Sequence, residues 1–210
     1  DVARNDTKRN RPIIIIKSTV PPGTTRELNS AATICPVLFS PEFLTEANSF
    51  EDFKNQTRII IGGNKNYYFK AAKKVKQMFR KPFPSIPIVI TEWQTAEMIK
   101  YFTNCFLATK VTFANQMYQI CLDNNLDYDK VTELALFDDR IGKSHLAVPG
   151  PDGDLGFGGH CFPKDLEAMI YFAVENKSTA SLLGEVKLSN EKYRSNKDWE
   201  KMKGRAVSDD

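Results

Sequence analysis

The chain has 210 residues, of which 41% are hydrophobic and 26% are charged, and its formal net charge at pH 7 is +3. That length can bury a core as one large domain or as two small ones. Because basic and acidic residues are interleaved and no apolar run reaches the roughly 18 residues of a membrane span, neither nucleic acid nor a membrane is an expected partner.

The first part of the chain alternates apolar runs with helical segments. Residues 12–19 (PIIIIKST) have the β-branched composition of a strand buried on both faces, and VPPGTT ends this strand before a helix that Thr24 or Thr25 could cap. A helix is also predicted over residues 66–79. Further strands are predicted at 37–39, 58–63 and 86–90. This alternation predicts α/β architecture over residues 1–91, as the C-terminal part of a Rossmann-like parallel sheet.

Residues 92–203 have a helical pattern instead. No Gly or Pro occurs from residue 91 to residue 124, and apolar residues recur at helical spacing, which predicts one helix of about 30 residues and about 45 Å. Shorter helices are predicted over 127–137, 165–175 and 182–203. A helix of that length in a small domain usually packs against something outside it, often its twin. We therefore expect an all-α dimerisation domain built on this helix.

The segment 156–165, GFGGHCFPKD, places Cys161 after a glycine-rich stretch and before a predicted helix start. The thiol is either a buried small hydrophobe or a nucleophile, because a helix N-terminus and a nearby cation such as Lys164 both lower a thiol pKa. Asp165 is correspondingly either a helix cap or a base. Since neighbouring side chains in an extended loop point apart, we expect His160 to face away from Cys161, which argues against a cysteine-hydrolase dyad.

Two further pairs of polar residues have helical spacing. Lys100 and Asn104 share a face of the long helix, where they could stabilise a developing alkoxide or simply contact solvent. Glu42 and Glu46 follow a predicted strand, at the edge where open α/β sheets bind ligands, although surface carboxylates are the alternative interpretation. Thr19 closes another strand and could reach the same edge.

The cysteines indicate a reducing compartment. They lie far apart without a CxxC pair, so a zinc site is not expected, and no signal peptide is visible. We therefore expect reduced thiols and a cytoplasmic protein. The four are Cys35, Cys105, Cys121 and Cys161.

Five motifs in order carry a resemblance to a known family. They are IKSTVPPGTT, SPEFLTEANSFEDF (followed by RIIIGG), AEMIKYFTNCFLATKVTFANQ, DDRIGKSHL and GFGGHCFPKDL. From about Pro12 to Asn190 the chain resembles the NAD-dependent nucleotide-sugar 6-dehydrogenases, and within them the enzymes that act on UDP-glucose. The resemblance implies that residues 1–91 are the C-terminal half of the NAD-binding domain. Residues 92–203 would then be the central helical domain, with the catalytic cysteine loop and the dimer interface.

The resemblance also implies a reaction. These enzymes oxidise the C6 alcohol of UDP-glucose to UDP-glucuronate in two hydride transfers to NAD. Cys161 would attack the intermediate aldehyde, and loss of the second hydride from the thiohemiacetal would give a thioester that water hydrolyses. Lys100 and Asn104 would stabilise the oxyanion, and Asp165 would position water or act as a base beside the thiol.

Other residues receive roles by the same resemblance. Glu42 would assist hydrolysis near the sugar, Thr19 would hold a water network, and Thr19, Glu46 and Lys164 would line the nicotinamide side. Arg140 would reach the nucleotide sugar from the partner subunit of a homodimer or higher homo-oligomer. The glycine loop would let the sugar nucleotide lie close to the backbone. The expected substrate-binding residues are Glu42, Phe43, Leu44, Lys100, Asn104, Arg140, Phe157 and Gly158.

Two departures from the family pattern leave alternatives open. His160 stands where UDP-glucose enzymes usually have a small residue, and it is similar to some dehydrogenases of N-acetylated sugars. The glycine-rich dinucleotide fingerprint and the third, nucleotide-binding domain are absent from the 210 residues, so we expect a fragment. The alternatives are a sister dehydrogenase acting on GDP-mannose or a UDP-N-acetylhexosamine, and an inactive truncated dimerisation module.

Overall fold

The computed structural model describes residues 11–31, 35–45, 48–63 and 68–201. The chain divides into two compact units, Asp1–Lys100 and Tyr101–Asp210. The division falls inside the long helix, which therefore contributes to both units. The domain boundary expected after residue 91 stays a prediction.

The first unit is an α/β layer structure with four strands in the order β1-β2-β3-β4. Its elements are β1 (Ile14–Ile16), α1 (Thr24–Ser30), β2 (Val37–Phe39), α2 (Ser49–Lys54), β3 (Ile59–Gly62), α3 (Phe69–Arg80) and β4 (Ile88–Thr91). The Rossmann-like α/β class is confirmed, but one detail of it is corrected. β1 with β2 and β3 with β4 pair in parallel, whereas β2 and β3 pair antiparallel through Phe39 and Gly62, so the sheet is mixed. In its described part, the segment between these two strands holds one short helix, the six-residue α2. The chain reverses direction across it, whereas a parallel pair needs a crossover to the opposite end of the sheet.

The core of this unit lies between the sheet and α3. Strand β3 is buried throughout, as its run of isoleucines predicts. Helix α3 turns Ala72 and Val75 toward the sheet and its lysines toward solvent. Burying each large aliphatic or aromatic side chain stabilises such a core by about 1.5–3 kcal/mol. The buried cluster consists of Leu38, Ile59, Ile61, Ala72, Val75, Phe83 and Ile88.

The predicted long helix is confirmed as α4, Trp93–Asp123, with 31 residues. Its Glu97 is wholly buried and supplies the cap of α1, where Thr24 or Thr25 was expected to act. The N-cap residue of α1 is Gly23, which has no side chain, and its N–H donates to Glu97 Oε2 at 2.6 Å. The N–H and hydroxyl of Thr25 donate to Glu97 Oε1 at 2.8 and 2.6 Å. The carboxylate thus satisfies donors that the helix start leaves without partners.

The second unit is helical. After α4 it contains α5 (Tyr128–Ala135), α6 (Cys161–Glu175), α7 (Ser181–Tyr193) and a 3-10 helix over Asp198–Lys201. Helix α6 begins four residues before the predicted start at Asp165, because Pro163 lies in the first turn, where no backbone N–H is needed. The last predicted helix is shorter than expected: α7 ends at Tyr193, and Arg194 has extended backbone angles.

Two buried clusters hold this unit together. One joins α4, α6 and α7 through Cys105, Ala108, Phe157, Leu166 and Val186. The other joins α4 and α5 to the following loop through Ala114, Cys121, Tyr128, Leu146 and Val148. Among the described residues, no helix combines the length and apolarity needed to cross a bilayer.

Candidate active site

In the first unit, Glu42 and Lys100 form an ion pair just beyond the carboxyl end of β2. Lys100 Nζ donates to Glu42 Oε1 at 3.0 Å, and the Lys100 side chain is only 5% exposed against 31% for Glu42. Glu42 Oε2 accepts the N–H of Leu44 at 2.7 Å. Both carboxylate oxygens therefore have partners, which fixes the orientation of the carboxylate and places an ammonium beside it.

Lys17, which the sequence analysis did not select, belongs to the same cluster. It directly follows β1, and its Nζ lies 3.4 Å from both Ser40 Oγ and the carbonyl oxygen of Pro41. Loss of hydration around the ammonium lowers the pKa of Lys17, an effect that the Glu42 charge opposes and the Lys100 charge reinforces. Its place at the end of a parallel neighbour of β2 is the signal that could have identified it.

A cavity of about 260 Å³ opens beside this cluster. Phe43 forms part of its wall, with the Arg58 guanidinium 4.0 Å and Lys100 Nζ 5.7 Å from the ring centroid. Of the expected substrate-binding residues, the structure brings together Glu42, Phe43 and Leu44 here. The lining combines cations (Lys17 and Arg58), carboxylates (Glu42 and Asp52) and the aromatic face of Phe43, which suits a polar ligand.

In the second unit, Asp165 forms a buried carboxylate centre. Its side chain is 1% exposed, and its Oδ2 accepts a hydrogen bond of 2.5 Å from Asn104 Nδ2. Its Oδ1 accepts a hydrogen bond from Lys164, whose ammonium also pairs with the charge. Asp165 therefore orients an amide and an ammonium, and a buried charge requires such partners.

Cys161 is the first residue of α6, and its neighbour His160 does not face away from it. The Sγ of Cys161 lies 3.6 Å from Nδ1 of His160. The expectation of divergent side chains is therefore wrong. It assumed an extended loop, whereas His160 has helical backbone angles, with φ −93° and ψ −30°. Cys161 is thus a partly exposed thiol at a helix N-terminus, with an imidazole beside it.

The other cysteines have a different environment. Cys35, Cys105 and Cys121 are buried, whereas Cys161 is partly accessible. Burial, and secondarily the charge of Asp165, raise the pKa of Cys105 to about 12. Cys105 therefore stays protonated at neutral pH, whereas Cys161 is the accessible one of these four thiols.

The remaining predicted site residues lie in different environments. Thr19 is half-buried three residues beyond β1, and Glu46 lies outside the described residues. Arg140 is 89% exposed and paired with Asp138, so its expected action on a partner subunit's substrate stays a prediction. The ring of Phe157 packs edge-on against Phe162, with the centroids 5.9 Å apart, and belongs to the core of its unit.

Gly158 adjoins Arg194 rather than an open cleft: a methyl group at its Cα would lie 2.3 Å from Arg194 Nη2. Its predicted contact with substrate would therefore involve its backbone. The interacting set Asn190, Arg194 and Asp198 was also missed by the sequence analysis, because these residues lie 30 or more positions after the glycine loop that they contact.

Comparison with known proteins shows that both parts of the chain match domains of one enzyme family. Residues 94–192 match the central domain of the UDP-glucose/GDP-mannose dehydrogenase family, and residues 3–81 match the NAD binding domain of that family. UDP-glucose 6-dehydrogenase TuaD of Bacillus subtilis is 36% identical over 189 residues, which are 87% of this chain and 39% of that protein. UDP-glucose 6-dehydrogenase of Rickettsia conorii is 36% identical over 188 residues, 88% of this chain and 41% of that protein.

Solved structures give the same result. A UDP-glucose dehydrogenase from the hyperthermophilic archaeon Pyrobaculum islandicum superposes with a TM-score of 0.71 at 32% identity, over 86% of this chain and 41% of the other. A UDP-D-ManNAc dehydrogenase from Pyrococcus horikoshii gives a TM-score of 0.70 at 26% identity, over 86% and 42%. The chain thus spans about two fifths of the length of the curated relatives that it matches.

Proposed function

Because the chain belongs to the UDP-glucose/GDP-mannose dehydrogenase family, we propose that it carries the catalytic residues for oxidising the C6 alcohol of UDP-glucose to UDP-glucuronate. The observation that carries the proposal is the start of α6. A partly exposed thiol lies there beside an imidazole, and a buried carboxylate follows four residues later with two donors. This grouping supplies a nucleophile and an electrostatic environment for it.

The chain also has residues that fit NAD. Thr19 is partly accessible at the carboxyl end of a parallel strand, where open α/β sheets bind dinucleotides. Lys164 keeps 27% of its side chain exposed while it pairs with Asp165. By the family resemblance, Thr19, Glu46 and Lys164 are each proposed as nicotinamide contacts. Bound NAD would supply a hydride acceptor for each of the two oxidations.

Lys100 and Asn104 would stabilise negative charge on the C6 oxygen. Lys100 is an almost completely buried ammonium with one carboxylate partner, so it can face an alkoxide at low cost in reorganisation. The Asn104 amide uses one N–H for Asp165, which leaves its second N–H as a donor for the oxyanion.

Cys161 would then form the covalent bond. Its thiolate attacks the C6 aldehyde, the C–S bond forms and the carbonyl oxygen becomes an oxyanion. Loss of a second hydride from C6 gives the thioester, and water adds to its carbonyl and expels the thiolate to leave the carboxylate. His160 lies close enough to take the thiol proton at the start.

Glu42 and Asp165 would assist hydrolysis in different ways. Glu42 is the more exposed of the two carboxylates, and although each oxygen already has one partner it retains acceptor sites for a water molecule. Asp165 is enclosed by Asn104 and Lys164, so its part is to hold these donors and to keep the local charge fixed.

The test is NADH formation by the complete gene product with UDP-glucose, GDP-mannose and UDP-N-acetylhexosamines as competing substrates. We expect UDP-glucose to give the highest kcat/KM, and Cys161→Ser to abolish conversion to the acid. Unchanged NADH production in Cys161→Ser would overturn the proposed nucleophile, and preference for another sugar would overturn the substrate.

One observation favours a second candidate, an N-acetylated sugar nucleotide. His160 contacts the catalytic thiol at a position where UDP-glucose enzymes usually have a small residue, and the Pyrococcus horikoshii structure is named for such a substrate. In the substrate comparison this candidate predicts that His160→Ser shifts preference toward UDP-glucose.

The partner proposed for the helical unit is a second copy of the chain. Helix α4 exposes an apolar stripe formed by Phe102, Phe106 and Phe113, with the first two rings stacked at 6.4 Å. Contiguous exposed aromatic surface of this kind marks interaction sites. Light scattering at micromolar concentration tests the dimer, and a monomer would refute it. A nucleophilic Cys161 would need a reducing compartment, so we propose a cytoplasmic location.

A further inference from the structure

Three side chains spaced four residues apart line one side of the glycine loop that precedes Cys161. Asn190 lies in α7, Arg194 directly follows that helix, and Asp198 begins the 3-10 helix. Asn190 is buried, and the Arg194 side chain is only 2% exposed. We refer to Asn190, Arg194 and Asp198 as the loop clamp.

The clamp binds successive backbone groups of the loop. Asn190 accepts the N–H of Phe157 at 2.7 Å and donates to the carbonyl of the same residue at 2.9 Å. The two carboxylate oxygens of Asp198 accept the N–H of Gly159 at 3.0 and 3.1 Å. A neighbouring bond, from the N–H of Gly156 to Asn115 of α4, extends the set. Buried backbone donors require such partners, so the clamp defines the path of the loop.

The glycines of the loop confirm how closely the clamp approaches. A methyl group on Gly156 would lie 2.4 Å from Asn190 Oδ1, and one on Gly158 would lie 2.6 Å from Asp198 Oδ1. Gly159, by contrast, has no atom within 4 Å of that position, and its φ of +70° favours glycine. Gly156 and Gly158 are therefore needed for contact with the clamp.

Arg194 ties the clamp to a second part of the loop. Its Nη2 lies 2.6 Å from Asp152 and 3.8 Å from Asp198, and its Nε lies 3.5 Å from Asp154. Three carboxylates thus lie within 4 Å of one buried guanidinium. Because a buried cation is stable only with its partners in place, displacing one member disturbs the rest.

We propose that the clamp sets the position and reactivity of Cys161 and that Asp198 is its main positioning residue. Gly159, which Asp198 holds, is two residues before Cys161, and the N-cap residue His160 makes no side-chain cap of its own. The direction in which the first turn of α6 leaves the loop therefore depends on the Asp198 contact. The catalytic consequence rests on the proposed function of Cys161, whereas the effect on thiol reactivity does not.

The test is the rate of alkylation of Cys161 by iodoacetamide in the native full-length chain, measured from the mass of the peptide that contains Cys161. Of the four cysteines in these 210 residues, Cys161 is the partly accessible one, and the peptide mass separates its adduct from any other. We expect Asp198→Ala to slow alkylation about threefold or more at neutral pH, because the thiol loses its alignment with the helix N-terminus. Asp198→Asn retains an oxygen that can accept the Gly159 N–H and should restore most of the rate. The exposed Glu200 of the same 3-10 helix provides the control, Glu200→Gln, with no change expected.

Turnover gives a second readout. Asp198→Ala should lower kcat for NADH formation about tenfold or more while changing KM less than about twofold, because small displacements of a reacting group affect chemistry more than binding. If Asp198→Ala fails to fold, Asp198→Glu tests the same contact, because it keeps the charge but moves the oxygens by one methylene. It should also slow alkylation.

Two outcomes separate this proposal from the proposed function. If Cys161 is alkylated at the wild-type rate in Asp198→Ala or Asp198→Glu, the proposed effect of the clamp on Cys161 is refuted. This conclusion does not depend on which substrate the enzyme oxidises. Slowed alkylation together with unchanged NADH formation in Cys161→Ser would support the clamp and overturn the catalytic role of the thiol.

Discussion

Replacement of Glu97 by Gln tests whether the Glu97 carboxylate stabilises the first unit as the cap of α1. Glu97 is wholly buried and accepts three hydrogen bonds, from the N–H of Gly23 and from the N–H and hydroxyl of Thr25, at 2.6, 2.8 and 2.6 Å. Glu97→Gln preserves the volume of the side chain but removes its charge. The amide oxygen can keep the two bonds from Thr25, which leaves the amide NH₂ facing the N–H of Gly23.

The size of the effect follows from these contacts. A buried N–H that loses its acceptor costs about 1–3 kcal/mol, and a bond to a neutral oxygen is weaker than one to a carboxylate by about 1 kcal/mol. With one bond lost and two weakened, we expect the free energy of unfolding to fall by about 3–5 kcal/mol. This is a large share of the 5–15 kcal/mol that stabilises a typical domain, at about 0.1 kcal/mol per residue.

Urea unfolding measures this change. The first unit has one tryptophan, Trp93, so a Trp199→Phe background lets fluorescence report on that unit alone. With a urea dependence of about 2–3 kcal/mol per molar, Glu97→Gln should lower the midpoint by about 1–2 M. Glu92→Gln, at an exposed position just before α4, should leave it unchanged. Equal midpoints for the two variants would refute the role of Glu97 as the cap of α1.

Three further predictions follow from the second unit. Iodoacetamide at pH 7 to about 9 should modify Cys161 and spare Cys105, because burial and a neighbouring carboxylate raise the pKa of Cys105 to about 12. Equal labelling of the two cysteines, measured by peptide mass, would contradict the assignment of Cys161 as the reactive thiol. Gly158→Ala should lower the free energy of unfolding by about 1–3 kcal/mol, because the added methyl group overpacks the loop. Gly184→Ala, in an open part of α7, should raise the free energy of unfolding by up to about 1 kcal/mol. Equal melting temperatures for the two variants would contradict this prediction. Hydrogen bonding to Arg194 lowers the pKa of Asp152 below its ordinary value of 3.8. The ionised Asp152 therefore stabilises the fold at pH values above 3.8, and this stabilisation is lost as the pH falls through the lower pKa of the folded state. Asp152→Asn should therefore lose less stability than the wild type between about pH 5 and pH 2, and equal acid dependence in urea titrations would contradict this.

The secondary structure was largely predictable because its signals are local. The β-branched isoleucine run at 59–61 is typical of a strand buried on both faces, and it forms β3. The absence of Gly and Pro from residue 91 to residue 124 predicted α4 to within two residues of each end. Local composition, however, does not specify which direction a strand takes in the sheet, and this is why the antiparallel pairing of β2 with β3 was missed.

The site was predictable in its residues and less so in its contacts. Lys164 and Asp165 are neighbours in sequence and form an ion pair in the first turn of α6, the helix that begins at Cys161. The cap that Glu97 provides for α1 comes from 72 residues further along the chain, and no local pattern indicates it. The contact of His160 with the thiol depends on a backbone angle that the neighbouring glycines leave undetermined.

The glycine loop shows the same limit. Its composition predicted that a ligand lies close to the backbone at Gly158 and Gly159. The groups that the structure places against Gly156 and Gly158 are instead side chains of the loop clamp, which lie 34 and more residues later in the chain. Whether a sugar nucleotide also lies against the open side of Gly159 stays a prediction.

The most direct test of the central claim is the number of NADH molecules formed for each UDP-glucose consumed by the complete gene product. Oxidation through a thioester on Cys161 predicts two NADH for each sugar, with UDP-glucuronate as the product. One NADH for each sugar, with an aldehyde accumulating, would contradict the account, because the second oxidation is the step that requires the thiol.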